Sequence, residues 1–455
     1  YLLTLIRKGY RVGVCEQLES PAEAKKRGYK SIVKRDVVRL VTPGTLTEDS
    51  LLNARSHNYL AAFVEVRDQA AIAWVDISTG MFIAMKANQT RLGPELARLS
   101  PSELIVPQAL ENDLHQLVTE FGISLTGLSG SSFDSTSGEK RLCDLFGVST
   151  LDAYGNFDRA EIAAMGAIVD YLNITQKGKL PLLQPPQQEQ HNKTVQIDAA
   201  TRRNLELTQA LSGGRAGSLL AVIDTTVTAG GARLLERRLS APSRVLETVS
   251  NRLNAVSHVL ENTRITEDVR EKLRQVPDLD RALSRLSLDR GGPRDLTAIR
   301  NGLAEAGLIA SNGLGDAPKL LSSALQNLTG HDDLIDLLDQ ALIVEPPLLA
   351  RDGGFIAPEY DEDLDEARKL RDEGRSVIAQ LQKEFATQTG ISTLKIKHNN
   401  VLGYFIETTA THADKMLSPP LNEIFIHRQT TANQVRFTTV ELSEMETKIL
   451  NAGNR

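Results

Sequence analysis

IFIHRQTTANQVRFTTVEL, residues Ile424 to Leu442, begins as strand and ends as helix. Strand-forming residues alternate with Arg, Gln, Thr and Asn, which predicts strands at Glu423 to Ile426 and near Val435 to Phe437. Thr438 with Glu441 three residues later has the form of a capping box, so a final helix should start there. Small polar side chains beside a cation suit a sugar-phosphate backbone, which is gripped without being read.

Upstream, a period of two from Thr393 to Lys397, the Asn399-Asn400 turn and the run Val401 to Thr408 predict two further strands. Before them, Glu359 to Thr389 carries apolar residues at Leu364, Ala367, Leu370, Val377, Ile378, Leu381 and Phe385. That spacing predicts a packed or coiled helical arm of about 45 Å, from roughly 31 residues at about 1.5 Å each. A small β unit is therefore expected at a tip, between an outgoing and a returning helix. Its donors are Lys395, Lys397, Asn399, Asn400, Arg428, Gln429, Thr430, Thr431, Asn433 and Arg436, against the few acids Glu407, Asp414 and Glu423. They form the candidate DNA-binding set, with an ordinary polar hairpin as the plainer reading.

At 455 residues the chain is too long for one core, and 41% hydrophobic content can fill several. The expected class is multidomain, α/β followed by mostly α. Residues 1 to 46 read as a helix, a strand at Arg11 to Glu16 and a strand at Asp36 to Val41, closed by Thr42-Pro43-Gly44-Thr45. Tyr59 to Val66, Ala70 to Ile77 and Met81 to Met85 predict a three-stranded meander, followed by helices at Leu92 to Leu99 and Arg159 to Leu172 and a strand at Glu103 to Val106. The segment Gln176 to Lys193 reads as a linker. Beyond it, helices are expected at Ala200 to Leu211, Ala232 to Leu239, Leu246 to Leu260, Asp278 to Leu288, Pro293 to Ala310 and Leu334 to Leu342.

The net charge of −6 argues against a protein coated in nucleic acid, but residues 1 to 46 hold ten cations against four acids, which suggests a local polyanion contact. Cys15 and Cys143, with no CxxC, support neither a disulfide framework nor a zinc site and point to a reducing cytoplasm. No apolar run reaches transmembrane length and no signal peptide is visible. Both ends read as the interior of helices, so a fragment is expected.

Together with VVRLVTPGT at Val37 to Thr45 and IDAATRRNLE at Ile197 to Glu206, the tip stretch resembles the MutS family of DNA mismatch-repair proteins, in motif order and spacing. The resemblance implies that residues 1–46 end a mismatch-binding domain and 47–195 form an RNase H-like connector. It makes 196–390 the helical lever core, 391–440 the clamp, and 441–455 the start of the returning lever helix. It further implies duplex DNA with mispairs or small loops, a second copy of the chain and a downstream MutL-type protein as partners, in a bacterial cytoplasm near the nucleoid. ATP and Mg²⁺ are implied for the full-length parent only, because the Walker site would lie beyond Arg455, and specific mispair reading should be lost with the Phe-x-Glu wedge, which would lie upstream of Tyr1. No GxxxxGK[ST] occurs, and Gly213-Gly214 and Gly230-Gly231 read as helix boundaries, so no cofactor and no ATPase activity are expected of these residues.

Two other classes compete. A helical scaffold with no DNA role leaves the basic first residues unexplained. A Mg²⁺-dependent nuclease would use Asp76, on a strand pattern resembling the first strands of an RNase H-like fold, but two-metal chemistry needs convergent carboxylates, and Glu65, Asp68 and Glu103 give no evident set. His398, His412 and His427 cluster in the tip without the fixed spacing of a metal site and read as solvated.

Overall fold

Strands buried on both faces lose the alternation of polar and apolar residues and read as continuous apolar runs. LAAFV at Leu60 to Val64 and AAIAWV at Ala70 to Val75 are such runs, and they form the centre of a six-stranded mixed sheet. The computed structural model of the chain describes residues 2–28, 31–312, 316–399 and 402–452, and these divide into two units, 1–355 and 356–455.

In the first unit, β1 (Val12–Gln17) and β2 (Arg35–Val41) pair antiparallel, with a capped helix Pro21–Arg27 between them. The six-stranded sheet follows: β3 (Leu60–Val66), β4 (Gln69–Asp76), β5 (Met81–Ala87), β6 (Glu103–Pro107), β7 (Ser124–Leu128) and the short β8 (Gln187–Gln188). Its order is β7-β6-β3-β4-β5-β8, an antiparallel meander of β3 to β5 extended by parallel strands at both edges.

The two-residue period splits the buried strand residues between two cores. Ala61, Phe63, Ile72 and Trp74 pack with Leu92, Leu96, Leu114 and Val118 of helices Gln89–Leu99 and Gln108–Glu120. Leu60, Ala62, Val64, Ala73 and Val75 pack with Leu142, Ala163, Ala167 and Ile168 of helices Ser135–Phe146 and Arg159–Thr175. Those last two helices touch through glycine: a Cβ on Gly166 would lie 2.4 Å from the Gly138 Cα.

The helical remainder of this unit is bound to the sheet by buried charge. Arg233 makes a two-pronged ion pair with Asp278 and donates to the Ala54 carbonyl, while Arg281 donates to the carbonyls of Asn53 and Ser56. Both arginines are 2% exposed. Arg55 reaches Asp224 and Thr226, and the Ser284 hydroxyl donates to the Ile77 carbonyl.

Several boundaries differ from expectation. The helix expected at Ala200 to Leu211 stops at Asn204, because Glu206 takes a positive φ and its carbonyl and carboxylate accept from Leu219 and Leu211. Helices Gln108–Glu120, Ser135–Phe146, Thr263–Leu273 and Lys319–Gln326 and strand β7 were not anticipated. No described helix is long and apolar enough to cross a membrane.

In the second unit the long helix Glu362–Thr389 is capped by Asp361 and ends at Gly390 in the left-handed conformation. The uninterrupted arm of the sequence reading is corrected here: Glu373 has φ −118° and ψ 16°, a break just before Gly374. Gly374 lies against the Ile449 side chain, so the long helix receives that side chain of the final helix Val440–Ala452 on bare backbone. The tip sheet has β9 (Lys395–Asn399), β10 (Gly403–Thr409), β11 (Ile426–Thr430) and β12 (Gln434–Thr438) in the antiparallel order β11-β12-β10-β9. Ile378, Leu381, Phe385, Ile406, Phe425, Phe437 and Leu442 form one core shared by the helices and the sheet.

Two tip expectations shift. Leu421 to Glu423 is a 3-10 turn, and the strand begins at Ile426 because Phe425 turns into the core against Phe385. The final helix is capped by Thr439, not Thr438: the Thr439 hydroxyl accepts from the Leu442 amide at 3.0 Å.

Candidate nucleic-acid interface

The tip sheet buries one face and exposes the other, so alternate residues of β9, β10 and β12 point outward as a set. Glu407 on β10 faces Lys395 on β9 and Arg436 on β12. Its side chain is 5% exposed, covered by Lys397, whose ammonium donates to it at 2.5 Å, and by Arg436, whose Nε donates at 3.2 Å. Arg436 also lies over the Phe405 ring at 4.6 Å and donates to the Gln429 Oε1 at 2.8 Å. Burial pushes the Glu407 carboxyl up, but hydrogen bonds from Lys397 and Arg436 overcome this and hold it below the usual carboxylate range. Lys397 and Arg436 thus share one carboxylate, which offsets part of their charge and holds both in place, and Gln429 is tied to Arg436.

Arg428 is placed differently. From His427 to Gln429, β11 takes two steps while β12 takes one, from Phe437 to Arg436, so Arg428 is the extra residue of a β-bulge. A bulge bends the strand and re-aims the inserted side chain. β11 is the edge strand, all five of its residues are exposed, and Arg428 has no hydrogen-bond or ion-pair partner among the described residues. The same holds for the side chains of Lys395 and Asn433, both exposed. Thr430 is bonded to the His427 ring at 2.9 Å, and Thr431 closes the hairpin loop onto the Gln434 carbonyl. Asn399 accepts from the Leu402 amide through its side chain, while Asn400 lies outside the described residues.

The structure thus brings the described members of the expected set onto one small sheet and its hairpin turn, and sorts them. Lys395, Arg428 and Asn433 are open for contact, whereas Lys397, Gln429, Thr430, Thr431 and Arg436 are engaged within the tip. Sequence reading expected the final helix but not that its face lies beside Arg428. An open groove of about 590 Å³ runs between β11 and the final helix, with Arg428, Ser443, Thr447 and Lys448 in its walls. Ser443 with Thr447, and Glu444 with Lys448, stand four residues apart on that helix, a spacing that could have marked this face.

The carboxylates considered for metal chemistry have other work. Asp76 is fully buried and accepts from the His57 ring at 2.7 Å and from the Ser78 hydroxyl and amide. Burial raises its pKa, but His57 and Ser78 more than offset this and leave it lowered. Glu103 lacked an evident partner in the sequence and proves fully engaged. It accepts from Thr42, the Gly44 amide, Thr126 and Tyr171, pinning the Thr42-Pro43-Gly44-Thr45 turn to the sheet. Among the described residues no group of three or more His, Cys, Asp or Glu side chains is placed to hold a metal ion. His398 and His427 pack against Tyr404 and Phe437, and His412 is exposed on the helix Ala410–Met416. Nor do the glycine pairs fit a nucleotide: Gly213-Gly214 is a loop with no strand before it, and Gly230-Gly231 lies in the first turn of helix Ala229–Ser240.

Family models match the chain from end to end and in order. They are MutS domain I at residues 1–50, MutS domain II at 58–184, MutS domain III at 200–398 and MutS family domain IV at 359–455. The chain belongs to the MutS family. Proteins named DNA mismatch repair protein MutS from Roseobacter denitrificans and Ruegeria sp. TM1040 are each 69% identical to it, and that from Paracoccus denitrificans is 65% identical. In each case the alignment covers 100% of this chain and 52% of the relative, so the chain spans about half the length of these MutS relatives. The tip sheet, with Lys395, Arg428, Asn433 and the groove, lies within the match to MutS family domain IV.

Proposed function

We propose that this chain is the DNA-embracing middle of a mismatch-recognition protein, and that its tip grips duplex phosphates without sequence preference. The observation that carries the reading is the exposed edge strand, whose bulge holds Arg428 outward and unpaired, on the same sheet as Lys395 and on the hairpin whose turn holds Asn433. Donors free of internal partners are what a polyanion contact requires, and placement on a rigid sheet lowers the entropy lost on contact.

Residues 391–440 act as the clamp, and 196–390 with the returning helix from 441 onward act as levers that transmit its position. Residues 47–195 are an RNase H-like connector offering a surface to a MutL-type partner, and 1–46 are the end of a mismatch-binding domain. The working assembly is a homodimer in the bacterial cytoplasm, around DNA with mispairs or small loops. No residue of this chain is assigned to ATP or Mg²⁺.

Fluorescence anisotropy with a labelled duplex tests the reading. The chain should bind matched and mismatched duplexes alike, with a dissociation constant on the order of 10⁻⁴ to 10⁻⁶ M and a steep salt dependence. Absence of any shift at low salt would leave the scaffold reading standing. Metal-dependent cutting lost in Asp76→Asn would favour the nuclease.

A further inference from the structure

A second cationic site lies in the first unit. Helices Ala229–Ser240 and Leu246–Glu261 meet the short edge strand β8 around a cleft of about 220 Å³. Arg237, Arg238 and Arg252 line it, with Gln187 and Glu189 on the sheet side. None of the three arginines has a carboxylate within ion-pair distance among the described residues. Glu189, the one acid of the cleft, is bound at 2.8 Å by Arg98, which Glu95 also holds.

The Arg238 Nε is buried without a hydrogen-bond partner. Arg202, 6% exposed, donates from one nitrogen to the Ser240 carbonyl at the end of the same helix, while its Nε and Nη1 are buried and unpartnered. Burial first, and then the neighbouring charges of Arg252 and Arg237, push the Arg238 pKa down. The carbonyls at the end of helix Ala229–Ser240 favour Arg237 and Arg238 in its last turn. They do not account for Arg252, which stands in the middle of the next helix. The floor is firm, since Val195 donates to the Pro242 carbonyl and Arg244 to that of Lys193, both at 2.8 Å.

Uncompensated guanidinium groups crowded around a cleft, with buried donors unused, leave a deficit that a multiply charged oxyanion would fill. We propose that Arg237, Arg238 and Arg252 form a binding site for a phosphate group, with two or more guanidiniums sharing its oxygens. A phosphate could come from a free phosphate or nucleotide, or from a nucleic-acid backbone.

The test titrates the full chain with inorganic phosphate, with AMP and with a short duplex at constant ionic strength, by calorimetry and by phosphorus NMR. Saturable phosphate binding that falls at least tenfold in both Arg238→Gln and Arg252→Gln supports the site. Competition by AMP then assigns a free source, and competition by duplex a backbone source. Circular dichroism monitors folding of the variants. In phosphate-free buffer Arg238→Gln should melt no lower than the parent, since it relieves like-charge crowding, whereas an arginine serving the fold alone would lower the melt. No saturable binding of any of the three probes, or binding indifferent to both substitutions, overturns the proposal.

Discussion

Replacing Arg428 by Ala separates a phosphate contact from a structural one. Arg428 is the extra residue of the β11 bulge, exposed and without an internal partner among the described residues, so its loss should change stability by less than about 0.5 kcal/mol. One phosphate contact contributes a slope of about −0.9 to the dependence of log affinity on log salt. Referred to 1 M salt, that contact is worth roughly eightfold in affinity at 0.1 M and roughly fourfold at 0.2 M. Anisotropy titrations between 50 and 200 mM salt should show Arg428→Ala lowering the slope magnitude by about 0.9 for matched and mismatched duplexes equally. Arg436→Ala should move the slope less, because Arg436 is held by Glu407 and Gln429 and its charge is partly offset there. An unchanged slope in Arg428→Ala, or a loss confined to mismatched duplex, would refute the reasoning.

Glu407→Gln should release Lys397 and Arg436 toward DNA, steepening the salt slope by up to about 0.9 for each freed cation, while costing about 1 to 3 kcal/mol of tip stability. Because the Glu407 pKa is depressed in the fold, its contribution is complete above about pH 4.3 and disappears as pH falls through the folded value. Melts of parent and variant should therefore converge in acid. Burial pushes Asp224 up, but hydrogen bonds from Arg55 and Thr226 bring its pKa down to about 2. Asp224→Asn should thus cost roughly 1 to 2 kcal/mol at neutral pH, after screening by solvent, with the difference fading between about pH 4 and 2. Gly166→Ala sets a methyl 2.4 Å from the Gly138 Cα, where only backbone could move, so urea unfolding should show a loss of about 1 to 3 kcal/mol or more. Equal midpoints for Gly166→Ala and the parent would mean that those two helices separate freely.

What was legible in the chain was what periodicity and local chemistry encode. The apolar runs at Leu60 to Val75 read as strands because burial on both faces leaves no polar positions to confuse them. Pro293 after two glycines marked a helix start that the structure keeps. Helix Ser135–Phe146 was missed because Ser, Thr and Gly fill its first turn and weaken the apolar period, although Asp134 caps its start and Gly147 its end, and Leu142 packs it against helix Arg159–Thr175. Lys395, Arg428 and Arg436 looked alike as a string of cations beside polar residues.

By itself, the sequence determined that the chain has an α/β part and a helical part, that a donor-rich β unit sits between two helices, and that no P-loop occurs. Those properties are local, set by side-chain period and residue type within a few turns of chain. Tertiary structure alone decided which charges are free: Glu407 withdraws Lys397 and Arg436, a one-residue bulge turns Arg428 outward, and Glu103 proves to hold a turn. It also gathered Arg237, Arg238 and Arg252 while Arg98 occupied the nearby acid. Charge is balanced in space rather than along the chain, so which arginine faces solvent unpaired depends on partners that only folding brings near.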